Sequence, residues 1–162
     1  MNKISGLIII SLLSGGPAGA VASDKTDVMA VVHQWVDGFN KGDEKSAVAA
    51  CADETSIIDD IAPYEWHGRD ACARWLEAYD AAMAKDGMAD GAVTLNKTRH
   101  LDLEGGGAYV VSTATFTYKE GGKPMQATGS TLTMSLKKTT SGWRISAWSW
   151  SEGIESAVKP SS

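Results

Sequence analysis

The segment from Val28 to Asp60, VMAVVHQWVDGFNKGDEKSAVAACADETSIIDD, constrains the fold more than any other part of the chain. Val28, Val32, Trp35 and Phe39 recur at i, i+4, i+7 and i+11, one apolar stripe of an amphipathic helix. His33 and Asp37 fall off that stripe and are expected to face water. Asn40-Lys41-Gly42 ends the helix, because Gly42 suits the left-handed position after a helix C-terminus. Asp43 can cap a second helix, whose buried face would carry Ala47, Val48 and Cys51. Thr55 to Asp59 then reads as a strand, with Asp59 on its inner side and Asp60 on its outer side. Such an order builds one wall of a conical pocket and delivers a carboxylate into it.

Tyr64 to His67 predicts a short partner strand, and Gly68 precedes a third helix. Cys72, Trp75, Leu76, Tyr79 and Met83 share one face of that helix. Beyond Gly91 the period changes to two, giving strands at Val93 to Leu103, Ala108 to Lys119, Met125 to Lys138 and Trp143 to Ser151. The glycines at 105–107 follow a strand without opening a helix, so they form a hairpin turn and not a phosphate loop. Helices first and a meander after make an α+β fold: three N-terminal helices packed on a strongly curved, mainly antiparallel sheet.

The ends read differently. Lys3, the apolar run Ile4 to Leu13, the helix-breaking Gly15-Gly16-Pro17 and an A-V-A cleavage pattern at Ala20 to Ala22 form a secretory signal peptide, residues 1–22. That run is too short to span a bilayer, which needs roughly 20 apolar residues. The expectation is an exported protein, periplasmic or secreted, with one domain over 23–156, a short tail at 157–162 and no membrane attachment after cleavage. The net charge of −5 is scattered, without a basic stripe, which excludes nucleic acid as a main partner.

The N-K-G-D turn, the A-D-E-T opening of the first strand, W-H-G-R-D-A before the third helix and the closing G-W-R-I-S-A-W-S-W-S together resemble the nuclear transport factor 2-like superfamily, with its SnoaL-like and ketosteroid isomerase-like members. The resemblance covers roughly Asp27 to Glu152. It implies a cone-shaped α+β barrel and commonly a homodimer formed through the sheet. Against ketosteroid isomerase, the general-base aspartate falls on Asp59. The hydrogen-bonding tyrosine falls on Trp35, and the protonated aspartic acid falls near Ser130. The base is matched and both donors are changed, so steroid isomerisation is not expected. Fold and function are loosely coupled in such superfolds, and the site needs its own argument.

Asp59 is the candidate general base, in a pocket lined by Trp35, Tyr64, Tyr79, Phe116 and Tyr118 that would raise its pKa. The plainer alternative is a carboxylate that solvates a strand end or caps the next turn. His67 and His100 are possible partners, or surface histidines. Ser130, with Thr128 and Gln126 on the same face of a regular strand, either donates hydrogen bonds at the pocket mouth or ends the strand. No histidine pair, C-x-x-C or H-x-x-x-H has metal-ligand spacing, and no G-x-S-x-G surrounds a serine, so neither a metal, a cofactor nor a nucleophilic triad is expected.

Cys51 and Cys72, both at apolar helix positions, would pair in an oxidising compartment, or else stay as buried thiols. Of the six tryptophans, Trp35 and Trp75 belong to helix stripes, and Trp143 shares an inner face with Ile145. Trp148 and Trp150 alternate onto the other face, as a homodimer interface. A bulge in the last strand would swap the faces and turn both indoles into pocket lining. Two functions follow: an exported homodimer binding a small, largely apolar molecule, or a cofactor-free isomerase, cyclase, dehydratase or hydrolase using Asp59 as base. Burial and a raised pKa of Asp59 beside a donor in the same cavity would favour chemistry.

Overall fold

The computed structural model describes residues 17–159. Most of the expected signal peptide lies outside them; the first helix, α1, spans Pro17–Lys41 and starts on a proline, whose missing N–H costs nothing at a first helical position. Val28, Val32 and Trp35 are buried as the stripe requires, and His33 and Asp37 are exposed. Gly42 adopts φ +63°, and Asp43 accepts the Ser46 N–H at 3.0 Å to cap α2, Glu44–Ala50. A Cβ on Gly38 would sit 2.7 Å from the Ala47 nitrogen, so this glycine sets how closely α1 and α2 approach.

β1 is Cys51–Ile58, four residues earlier in its start than the expected strand. Cys51 is therefore not on α2: its extended ψ of 152° ends the helix and opens the strand. β2 (Glu65–Gly68) pairs antiparallel with β1, and α3 spans Ala71–Lys85. The Cys51–Cys72 disulfide ties the start of β1 to the first turn of α3. Then come β3 (Met88–Glu104), β4 (Gly107–Glu120), β5 (Lys123–Thr139), β6 (Gly142–Ser151) and a strand not expected from the sequence, β7 (Ile154–Ala157).

The strand order is β2-β1-β6-β5-β4-β3, with β7 on β5. The β1–β6 pair is parallel and the others are antiparallel, so the sheet is mixed. It curls around the helices without closing into a barrel, leaving β2 and β3 as its edges. Asn40 fixes the end of α1 to β3, donating to the Val93 carbonyl at 2.8 Å and accepting the Val93 N–H at 2.7 Å.

Two bulges decide what faces inward. In β6, Ala147 pairs with Ser135 but Ile145 pairs with Leu136, so Ser146 is an extra residue. Trp143 and Ile145 point inward before it, and Trp148 points inward after it, at 4% exposure. The assignment of Trp148 and Trp150 to a dimer interface is thereby corrected: the bulge turns both into the cavity. In β5 the extra residue is Gly129, at φ +79°. It reverses the parity beyond Ser130, so Thr128 is exposed and Ala127 buried, unlike the regular strand expected. β7 covers Met125 to Thr128 past this kink, and its Ala157 belongs to a strand instead of a loose tail. Gly153 makes the crossing possible, since a Cβ there would meet the Thr128 oxygen at 2.2 Å.

Candidate functional site

A cavity of about 630 Å³ lies between α1, α3 and the concave face of the sheet. Among the described residues, eight aromatic rings line it: Trp35, Phe39, Trp75, Tyr79, Phe116, Tyr118, Trp148 and Trp150. They form a contiguous array. Trp75 meets Trp148 edge-on with centroids 4.7 Å apart, and both meet Trp35 at 5.7 and 5.5 Å respectively. Tyr79 stacks on Trp75 at 5.5 Å, and Phe116 stacks on Tyr118 at 5.3 Å. Such tilted and edge contacts suit the ring quadrupoles and hold the walls in place.

Among the charged residues of these walls, Asp59 is the buried one. It follows β1 directly, at the head of a tight loop in which its N–H donates to the Tyr64 carbonyl at 3.1 Å. One carboxylate oxygen accepts the Ile61 N–H at 3.2 Å, so the turn-capping alternative is also true in part. The residue is only 6% exposed. Burial, and then the neighbouring Asp60 carboxyl, push its pKa up to about 7, against smaller opposing effects from the Ile61 N–H and the Trp75 indole. That indole stays outside hydrogen-bonding geometry.

Among the described residues, three further polar atoms are buried without a partner: Trp75 Nε1, Tyr79 Oη and Trp148 Nε1. All three residues line the cavity with Asp59. Orphaned buried donors are rare, because each forgoes its hydration without recompense, and a cluster of them around one space suits a bound acceptor. Burial and the negative charges of Asp80 and Asp59 push the Tyr79 phenol far above its ordinary range, so it remains a donor. A Cβ at Gly91 would lie 1.9 Å from that hydroxyl; the glycine leaves room for it.

The mouth is acidic. Asp60 lines it, although strand parity sets that residue on the outer side, together with Glu152 and Glu155. Trp150 Nε1 donates to Glu152 at 2.8 Å, and the Tyr118 hydroxyl donates to Glu155 at 2.5 Å. Burial raises the pKa of Glu152, and the charges of Asp60 and Glu155 add to the effect.

The structure thus brings together Asp59, Trp35, Tyr79, Phe116 and Tyr118, as the sequence suggests, and adds Trp75, Trp148 and Trp150. Tyr64 is not among the walls: it takes φ 75° at the loop end and is 62% exposed. Ser130 is fully buried outside the cavity lining, where its Oγ accepts the Gly153 N–H at 3.0 Å and serves the β6–β7 crossing. His67 bonds Ser56 and Glu65, and His100 bonds Asp102, so neither faces Asp59. Among the described residues no group of three His, Cys, Asp or Glu side chains is placed to hold a metal. Trp75 is legible from its helical spacing to Tyr79; Trp148 needs the bulge.

Residues 28–155 match the SnoaL-like domain. No curated protein matches the chain. Among solved structures, an NTF2-like protein with a cystatin-like fold from Novosphingobium aromaticivorans superposes with a TM-score of 0.70 at 16% identity, over 86% of this chain and 88% of that one. A nuclear transport factor 2-like superfamily protein from Salmonella enterica gives 0.68 at 15%, over 83% and 94%. A hexachlorocyclohexane dehydrochlorinase from Novosphingobium barchaimii gives 0.71 at 10%, over 88% and 94%. At these identities the likeness concerns the fold.

Proposed function

The chain belongs to the SnoaL-like domain family of the nuclear transport factor 2-like superfamily, and from there we propose that it is a cofactor-free acid–base enzyme acting on a small, largely apolar molecule held in the cavity. The observation that carries this reading is a 6% exposed Asp59, with its pKa near 7, sharing one cavity with three orphaned donors. A carboxylate poised near neutral pH is matched to taking up and returning a proton. A passive binding pocket would gain nothing from holding a carboxylate at the edge of ionisation.

The step is a proton transfer next to an oxygen function. Ionised Asp59 takes a proton from the carbon beside a carbonyl; the C–H electron pair moves into the enolate, and the charge comes to rest on oxygen. Trp75, Tyr79 and Trp148 supply the hydrogen bonds that oxygen needs. Where the enolate is conjugated to a β,γ double bond, protonated Asp59 returns the proton to the γ-carbon, an isomerisation; where a β-leaving group is present, the enolate expels it, an elimination. The dehydrochlorinase of the same fold makes elimination a natural second outcome. We further take the protein to be exported and homodimeric; the disulfide supports an oxidising compartment.

Hydrogen exchange tests this while the natural substrate is still unidentified. Small apolar ketones in D2O should exchange their α-protons faster with the protein than in buffer, followed by proton NMR. Asp59→Asn should lower that rate by about 10²- to 10⁴-fold. The rate should climb with pH through about 7 and then level, as Asp59 ionises. Equal exchange in both proteins would end the proposal.

A further inference from the structure

We propose that the molecule bound in this cavity is a cationic amine, its ammonium group held at the carboxylate mouth and a neutral oxygen acceptor reaching the buried indole donors. The inference rests on the cavity being a ligand site, as proposed above, and adds the ligand's charge.

The first observation is an unbalanced charge. Asp60, Glu152 and Glu155 line the mouth, and none of them forms an ion pair with Lys, Arg or His among the described residues. Among the described residues, Lys85, at the exposed end of α3, is the single basic residue on the walls. All three side chains are exposed at the rim; the charges of Asp60 and Glu155 add to the burial that raises the pKa of Glu152, so like charges oppose one another here. A cation placed between them would relieve that repulsion, while an anionic ligand would add to it. Glu152 and Glu155 are also aimed: each uses one oxygen to accept from an aromatic wall residue, Trp150 or Tyr118.

The second observation is independent of the acids. Trp75 and Trp148 are 6% and 4% exposed, line the same cavity and find no partner for their indole N–H groups among the described residues. An indole N–H can only donate, so it calls for an acceptor and gives an ammonium nothing. The two ends of the cavity therefore ask for different groups: a cation outside, a hydroxyl or carbonyl oxygen inside. The rings between them favour both an apolar middle and a cation near the mouth, since ring faces attract ammonium groups.

Calorimetric titration of the full chain with three compounds matched in shape tests this: tyramine, 4-propylphenol and 3-(4-hydroxyphenyl)propionate. Tyramine should bind about tenfold or more tighter than the neutral phenol at low salt, with the anion weakest. Added salt should narrow the gap. The Glu152→Gln, Glu155→Gln double variant, which keeps an oxygen to accept from Trp150 and Tyr118, should close it. The proposal fails if the neutral phenol binds as well as tyramine, if the double variant keeps the preference, or if none of the three binds. Phenol binding that depends on Asp59 but shows no amine preference would remove the charge inference and leave the catalytic reading standing. Amine selectivity without any α-proton exchange would do the reverse.

Discussion

Asp59 is held where ionisation is costly, and that has a measurable effect on stability. Its folded pKa of about 7 lies above the ordinary carboxylate value near 4, so the folded state holds its proton more tightly than the unfolded state. Stability from this group is full below about pH 4 and is lost as pH rises toward 7, at up to about 1.4 kcal/mol per pH unit. Asp59→Asn removes the ionisation and should therefore be more stable than the natural protein at pH 8, by a few kcal/mol on this scale, with the difference vanishing near pH 4. Thermal melts of both proteins across that range check it. A variant less stable than the parent at pH 8 would mean that the carboxylate is not penalised where it sits. Function held at the expense of stability is what the active site we propose should show.

Among the elements, the helices are readable from sequence because their apolar stripes survive intact, from Val28 to Phe39 and from Cys72 to Met83. The strands are readable in place but not in facing. Alternation predicts a face only until a bulge intervenes, and neither Ser146 nor Gly129 announces itself by composition. That is why sequence alone sets Trp148 and Trp150 outward and Thr128 inward, and why it does not reveal β7. Asp59 is legible because the residues before it alternate cleanly, Thr55 and Ile57 buried against exposed neighbours. Ser130 falls on the correct face, but its hydroxyl is taken by Gly153, a partner lying beyond the last strand that the sequence reveals. The Cys51–Cys72 link joins β1 to α3 across 21 residues of sequence. Cys51→Ser with Cys72→Ser should cost about 2–4 kcal/mol, most simply through a freer unfolded chain. Urea melts in the presence and absence of reductant measure it; equal midpoints would show that the link does not stabilise the fold.

For the whole molecule, the aromatic rings that line the cavity, Trp148 and Trp150 among them, belong to the inside and not to a contact surface. The outer face of the sheet carries exposed Ile58 and Tyr109 among serines and threonines. If the protein is the homodimer we propose, Trp150→Ala should leave its mass in sedimentation unchanged while weakening ligand binding. A shift to monomer would place Trp150 at the interface and contradict the bulge. No described helix is long and apolar enough to cross a membrane, and Asp24 anchors the described start of the chain to Lys138 at 2.6 Å and to the Trp143 indole.

The proposed proton transfer depends on one ionisation, that of Asp59. Carbon-13 NMR of carboxyl-labelled aspartate, with Asp59→Asn identifying the resonance, follows it without a substrate. Asp59 should titrate with a midpoint near 7. A midpoint near 4, the value of an ordinary solvated carboxylate, would contradict it.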